Sequence, residues 1–158
     1  MNTEEDLFFL QKTIEIAHKN IDLGGGPFGA VIVENSKIIS ESGNQVRIIN
    51  DPTAHAEVQA IRIACKKINS YSLENCTIYC SCEPCPMCLG AIYWAKISRI
   101  VFAASRNDAA QGGFDDNKIY LELAKNIQAR EIPTTQIQSS QAKNVFTTWI
   151  QNNNKLEY

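Results

Sequence analysis

The chain has 158 residues, with a 44% apolar share and a 20% charged share, so it falls in the size range of one domain of about 100–200 residues and not in the disordered class. Lys plus Arg is 15 and Asp plus Glu is 17, a net charge of −2, which argues against a nonspecific nucleic-acid binder. No run of about 18 apolar residues is present and the start of the chain, Met1 to Asp6, is acidic where a signal peptide is basic, so the expected setting is cytoplasmic with no membrane contact.

In chain order, Leu7, Leu10, Ile14, Ala17 and Ile21 recur at spacings of three and four and predict an amphipathic helix from Thr3 to Ile21. Gly24-Gly25-Gly26-Pro27 stops it. Gly29 to Glu34 and Ser36 to Glu41 read as a hairpin turning at Asn35-Ser36. Asp51 or Thr53 is expected to cap a helix from His55 to Asn69 that turns Val58, Ile61 and Cys65 inward. Thr77 to Ser81 is a strand, Pro86 to Ala95 a helix that begins on a proline, and Arg99 to Ala104 another strand. Gly112-Gly113 lies in a loop. Helices follow at Lys118 to Ile127 and Ala142 to Gln151, with a weak fifth strand at Thr135 to Gln138. The alternation predicts an α/β fold, a mixed five-stranded sheet sandwiched by helices in three α-β-α layers, as one domain over residues 1–158.

Five of the six cysteines lie between Cys76 and Cys88. In a reducing compartment such a cluster points to metal ligation, catalysis or packing before disulfides. Two segments carry the chemistry: Pro52-Thr53-Ala54-His55-Ala56-Glu57 and Cys82-Glu83-Pro84-Cys85-Pro86-Met87-Cys88. His-x-Glu with Pro-Cys-x-x-Cys is the signature of zinc-dependent nucleobase deaminases. Cys85 and Cys88, three apart at a helix start, can place both sulfurs on one side of the first turn, where the helix terminus favours thiolates. His55 also opens a helix. One imidazole and two thiolates leave a fourth tetrahedral position open, where a water can ionise near neutral pH, and the charges of zinc and two thiolates cancel. Glu57 suits a carboxylate that does not bind metal and moves protons between water, ring nitrogen and leaving amine.

Blander readings exist. A Cys-x-x-Cys pair can be redox-active, and Cys80 and Cys82 can join Cys85 and Cys88 in a closed structural zinc site. Cys82-x-x-Cys85-x-x-Cys88 also matches the start of an iron–sulfur run, but position 92, where a fourth cysteine is due, is Ile. Cys65, Cys76 and Cys80 read as packing residues, and the part played by Cys82 is open.

Along most of its length the sequence resembles the cytidine-deaminase-like zinc superfamily, and within it the small bacterial guanine deaminases. The resemblance rests on Gly26 to Val31, Asn50 to Glu57, Ser81 to Trp94, Gly113-Phe114-Asp115-Asp116 and a chain ending in Tyr158. It implies zinc-dependent hydrolysis of guanine to xanthine and ammonia, in purine metabolism. It implies that Asn44 and Asp116 meet the polar edges of the base, with the neighbouring Asp115 hard to separate from Asp116. It also implies that Phe28 and Trp94 stack on the base and that the Ala56 amide binds it. Tyr158, by the same resemblance, reaches into the neighbouring subunit's site, in a homodimer that exchanges C-terminal segments. On composition alone Asn44 can be a turn residue, Phe28 and Trp94 core aromatics, and the tail after Gln151 a frayed end. The rival substrates are guanosine and, disfavoured by the net charge, adenosine in transfer RNA. A non-enzymatic zinc or iron–sulfur binding module is the rival of another class.

Overall fold

A computed structural model describes residues 3–156. Tyr158, expected at a neighbouring site, lies outside the described residues. By its internal contacts the chain divides after Asn117 into two units.

In the first unit, α1 (Thr3–Asp22) leads into the hairpin β1 (Gly26–Glu34) and β2 (Lys37–Asn44). A short α2 (Val46–Ile49), α3 (Ala56–Ile68), β3 (Cys76–Cys82), α4 (Pro86–Trp94), β4 (Arg99–Ala104) and α5 (Arg106–Gln111) follow. The strand order is β2-β1-β3-β4, antiparallel between β2, β1 and β3 and parallel between β3 and β4, so the expected mixed sheet is present. It has four strands, not five. Thr135 to Gln138 forms no strand: it is exposed throughout and its unit contains no other described strand to pair with.

Alternation along β1 divides the core. Ala30 and Ile32 join Ile78 and Cys80 of β3 beneath Ala56, Ala60 and Ala64 of α3 and Ile92 of α4. Val31, Val33 and Tyr79 face the other way and pack on Phe9 of α1. Helices thus cover both faces of the sheet, in the three expected layers.

α1 turns otherwise than its apolar stripe predicts. In α1 the buried residues are Phe9, Thr13, Ala17 and Asn20, while Leu7 and Ile21 are exposed. The reason is close approach: a Cβ on Gly29 would lie 2.3 Å from the Thr13 carbonyl oxygen, so the α1 backbone sits directly on β1. In α3 the innermost row is Ala56, Ala60 and Ala64; of the expected face, Val58 is buried and Ile61 and Cys65 pack against the same core. Small side chains one turn apart let this helix lie close to the sheet. On the outer face of the sheet, Asp6 accepts both arms of Arg99 at 2.7 and 2.8 Å and the Tyr79 hydroxyl at 2.8 Å, tying α1 to β3 and β4.

The second unit begins one residue into α6 (Asn117–Ala124) and holds the rest of it, a 3-10 turn (Ile127–Ala129) and α7 (Ser140–Gln151). Ser139 caps α7 by accepting from the Ala142 amide. Val145, Phe146 and Ile150 of α7 are each about two-thirds exposed or more. No helix among the described residues is long and apolar enough to cross a membrane.

Candidate active site and metal centre

His55 and Cys85 occupy equivalent places. Each is the N-cap of its helix, α3 and α4, with extended backbone and with no side-chain capping bond. Their side chains are therefore left to point at one another. Asp51 and Thr53, expected to cap α3, instead close their own turn: Asp51 Oδ1 accepts from the Thr53 amide at 2.8 Å and its hydroxyl at 2.7 Å. The Gln45 amide donates to the Ala54 carbonyl at 2.8 Å, which brings the end of β2, and Asn44 with it, beside His55.

His55 Nδ1 lies 3.5 Å from Cys85 Sγ and 3.5 Å from Cys88 Sγ. Zinc–sulfur and zinc–nitrogen bonds of about 2.3 and 2.0–2.1 Å place two corners of a tetrahedron about 3.5 Å apart, so the trio fits that ion. Among the described residues these three are the group able to hold a metal. Cys82 stands apart from it, its Sγ 3.5 Å from the Ser105 carbonyl oxygen, and Cys80 is buried in the core. The closed four-cysteine site and the iron–sulfur run therefore lack their further ligands.

The electrostatics suit metal. A hydrogen bond from the Cys88 thiol, then one from His55, holds the Cys85 thiol down to about 4. Cys88 is pushed up, because it donates to Cys85 and is buried. His55 is raised by its bond to Cys85. A divalent cation binds sulfurs in their deprotonated form, the form these contacts favour at Cys85. Cys82, by contrast, is raised by burial to about 11, as expected of a thiol outside the cluster.

Glu57 is buried, and desolvation raises its pKa. It belongs to no metal-binding group but lines the same cavity, of about 530 Å³, as His55, Cys85, Asn44, Phe28 and Asp116. A carboxyl held out of water beside a metal site is suited to taking up and releasing a proton. Asp116, not Asp115, lines this cavity, and burial followed by the Cys85 thiolate raises its pKa. Asp115 accepts from the Asn117 amide at 2.9 Å where α6 begins. Asn44 is buried, and its Oδ1 accepts from the Val46 amide at 3.2 Å, so Nδ2 is the group left to meet a ligand's acceptor.

Not every expected residue is brought to the cavity wall. Ala56 is fully buried in the first turn of α3. Trp94 stands at the end of α4, 71% exposed and outside the cavity lining. Among the further residues that line it are Phe114, Glu83 and Arg106. Phe114 stands edge-on to Phe28, ring centres 5.0 Å apart at 86°. Glu83 accepts from the Arg106 amide at 3.1 Å and donates its own amide to Ala104 at 2.9 Å, anchoring the loop into α5. Glu83 carries a signal, since it sits inside the cysteine motif; Phe114 and Arg106 carry none beyond their neighbours.

The chain is 50% identical over 151 residues to the guanine deaminase of Bacillus subtilis, covering 95% of this chain and 97% of that one. The X-ray structure of guanine deaminase from Bacillus subtilis superposes with a TM-score of 0.94 at 49% identity, over 100% of this chain and 99% of that one. The tRNA-specific adenosine deaminase of Haemophilus influenzae is 40% identical over 139 residues, 83% of this chain and 80% of that one. The crystal structure of NE0047 in complex with 2,6-diaminopurine matches with a TM-score of 0.66 at 32% identity, over 68% of this chain and 61% of that one. The family model of the cytidine and deoxycytidylate deaminase zinc-binding region matches residues 3–104, from α1 to the end of β4. That stretch is most of the chain and carries all three donors and Glu57, and the chain belongs to the cytidine and deoxycytidylate deaminase zinc-binding family.

Proposed function

We propose that the protein is a guanine deaminase, hydrolysing guanine to xanthine and ammonia. The observation that carries the substrate is the reach of the likeness to the Bacillus subtilis guanine deaminase. It covers 95% of the chain and so continues beyond residue 104, where the family model stops.

His55, Cys85 and Cys88 hold the zinc, which when bound supplies Lewis acidity at their meeting point. Glu57 carries one proton of the attacking water to the ring nitrogen beside C2, and then the second, from the hydroxyl formed at C2, to the amino group that leaves as ammonia. One C–O bond forms and one C–N bond breaks at C2. Asn44 donates to an acceptor on the base, and Asp116 accepts from its N–H groups. Phe28, on the cavity wall, holds the ring plane.

The assembly belongs to the same reading. A homodimer that exchanges C-terminal segments gives a cover to the apolar row Val145, Phe146 and Ile150, and brings Tyr158 of each chain to the other's base. One deaminase domain then spans residues 1–158, with its C-terminal part seated on the partner. The chemistry is that of a cytoplasmic enzyme of purine metabolism.

The test is xanthine formation by purified, zinc-replete protein, run beside guanosine and beside transfer RNA carrying the target adenosine. Turnover of guanine ahead of both supports the proposal. Turnover of guanosine or of transfer RNA alone moves the substrate, and no turnover of any of them returns the protein to the class of binding modules.

A further inference from the structure

Asn20 is a polar residue on the buried face of α1, with its side chain spent on one place. Its Nδ2 donates to the Gly26 carbonyl oxygen at 2.7 Å and to the Asn44 carbonyl oxygen at 2.7 Å. Its own carbonyl accepts from the Gly25 amide at 2.9 Å. The strands leave room for it. A Cβ on Gly25 would lie 2.3 Å from Asn20 Nδ2, and one on Gly43 would lie 2.4 Å from Asn20 Oδ1. A Cβ on Gly26 would in turn lie 3.2 Å from the Asn44 side-chain amide. The Gly24-Gly25-Gly26 run thus does more than stop a helix: it receives the Asn20 amide between the start of β1 and the end of β2.

We propose that Asn20 is a positioning residue for the substrate site. It pins the backbone of Asn44 and so sets where the Asn44 amide stands in the cavity. An Asn side chain suits the task because one NH2 group serves two carbonyl oxygens, whereas Asp at the same place sets a carboxylate against both. The link continues to the Asn44 side chain, whose Oδ1 is fixed in turn by the Val46 amide. The effect on turnover rests on the guanine deaminase reading; the effect on Asn44 does not.

The experiment uses the zinc-loaded, full-length Asn20→Asp variant with two readouts. Amide hydrogen exchange at Val46 is expected to speed up by about tenfold or more, with exchange at Ile78 in the centre of the sheet unchanged. KM for guanine is expected to rise by about tenfold, with kcat within about threefold of the parent. On an Asn44→Ala background the same change is expected to add nothing further to KM, because its effect passes through Asn44. Unchanged Val46 exchange, or a KM effect that is fully additive with Asn44→Ala, overturns the proposal. If faster exchange is found in a protein whose parent form does not turn over guanine, the substrate reading falls and the positioning role stands. Asn20→Ala, which adds no charge, serves if the Asp variant does not fold. Loss of folding in both makes Asn20 a residue of stability alone and also overturns the proposal.

Discussion

Replacing Gly29 by Ala is expected to destabilise the protein, although the same exchange in an unhindered site stabilises. The added Cβ would stand 2.3 Å from the Thr13 carbonyl oxygen and 3.0 Å from the Ala17 amide nitrogen, where ordinary contact begins at 3.4 Å. Relief requires α1 to withdraw by about 1.1 Å, or the strand to yield by as much, because both obstructing atoms are backbone. The same withdrawal would stretch the 2.7 Å bonds from Asn20 to Gly26 and Asn44 beyond hydrogen-bond range. Overpacking costs about 1–3 kcal/mol and each weakened bond about 0.5–1.5 kcal/mol, against a gain of about 0.4–1 kcal/mol from the stiffer unfolded chain. The net expectation is a loss of about 2–4 kcal/mol. Gly90 supplies the control: it lies in α4 with nothing within 4 Å of its would-be Cβ, and Ala there is expected to stabilise by about 0.5–1 kcal/mol. Urea unfolding of both zinc-loaded variants, followed by far-UV circular dichroism, measures the pair. Shifts of the same sign in the two, or a Gly29→Ala shift under about 0.5 kcal/mol, would refute the close approach of α1 to β1.

Three further outcomes are expected. Glu57→Gln is almost isosteric, so it should keep one zinc per chain by atomic emission while kcat falls about 10²- to 10⁴-fold; turnover near the parent rate removes Glu57 from proton transfer. Cys85→Ser should leave less than about a tenth of the parent zinc content after dialysis, and full retention would mean the metal is held elsewhere. Asp6→Asn should cost about 1–2 kcal/mol at pH 7, read by urea unfolding, since it removes a two-armed ion pair at a partly exposed site. Arg99, then the Tyr79 hydroxyl, holds the Asp6 carboxyl below its ordinary 3.8, so the stabilisation is full above that pH and is lost as pH falls through the lowered folded value. The gap between parent and variant must therefore narrow on acidification below 3.8; a constant gap contradicts the assignment.

What the sequence made legible were features in which chemistry restricts residue type and spacing together. His55, Cys85 and Cys88 could be named because a metal tolerates few donors, and each donor lies at the start of a helix whose periodicity was plain. Strand and helix positions followed from alternation and from turn residues. Features set by contact between distant segments were not legible. Which side of α1 turns inward depends on Gly29 and Asn20, and of the stripe Leu7, Leu10, Ile14, Ala17 and Ile21 only Ala17 is among the buried residues. Val58, Ile61 and Cys65 do face or flank the core from α3, but the innermost row is Ala56, Ala60 and Ala64, whose small side chains carry no such signal. Thr135 to Gln138 has strand-like residues without an edge to join. The edge-on contact of Phe114 with Phe28 joins residues 86 positions apart, and no local pattern announces it.

The parallel pairing of β3 with β4, in which Cys82 stands opposite Ala104, makes two chain segments leave the sheet side by side at the same end. One carries Cys85 and Cys88; the other runs through Arg106 and Phe114 to Asp116. The first is bound by the demands of the ion, whereas the second contributes no donor to it. Residues 105–117 thus add Arg106, Phe114 and Asp116 to the cavity wall without touching the donor set. The end of the shared family region at residue 104 falls at that seam.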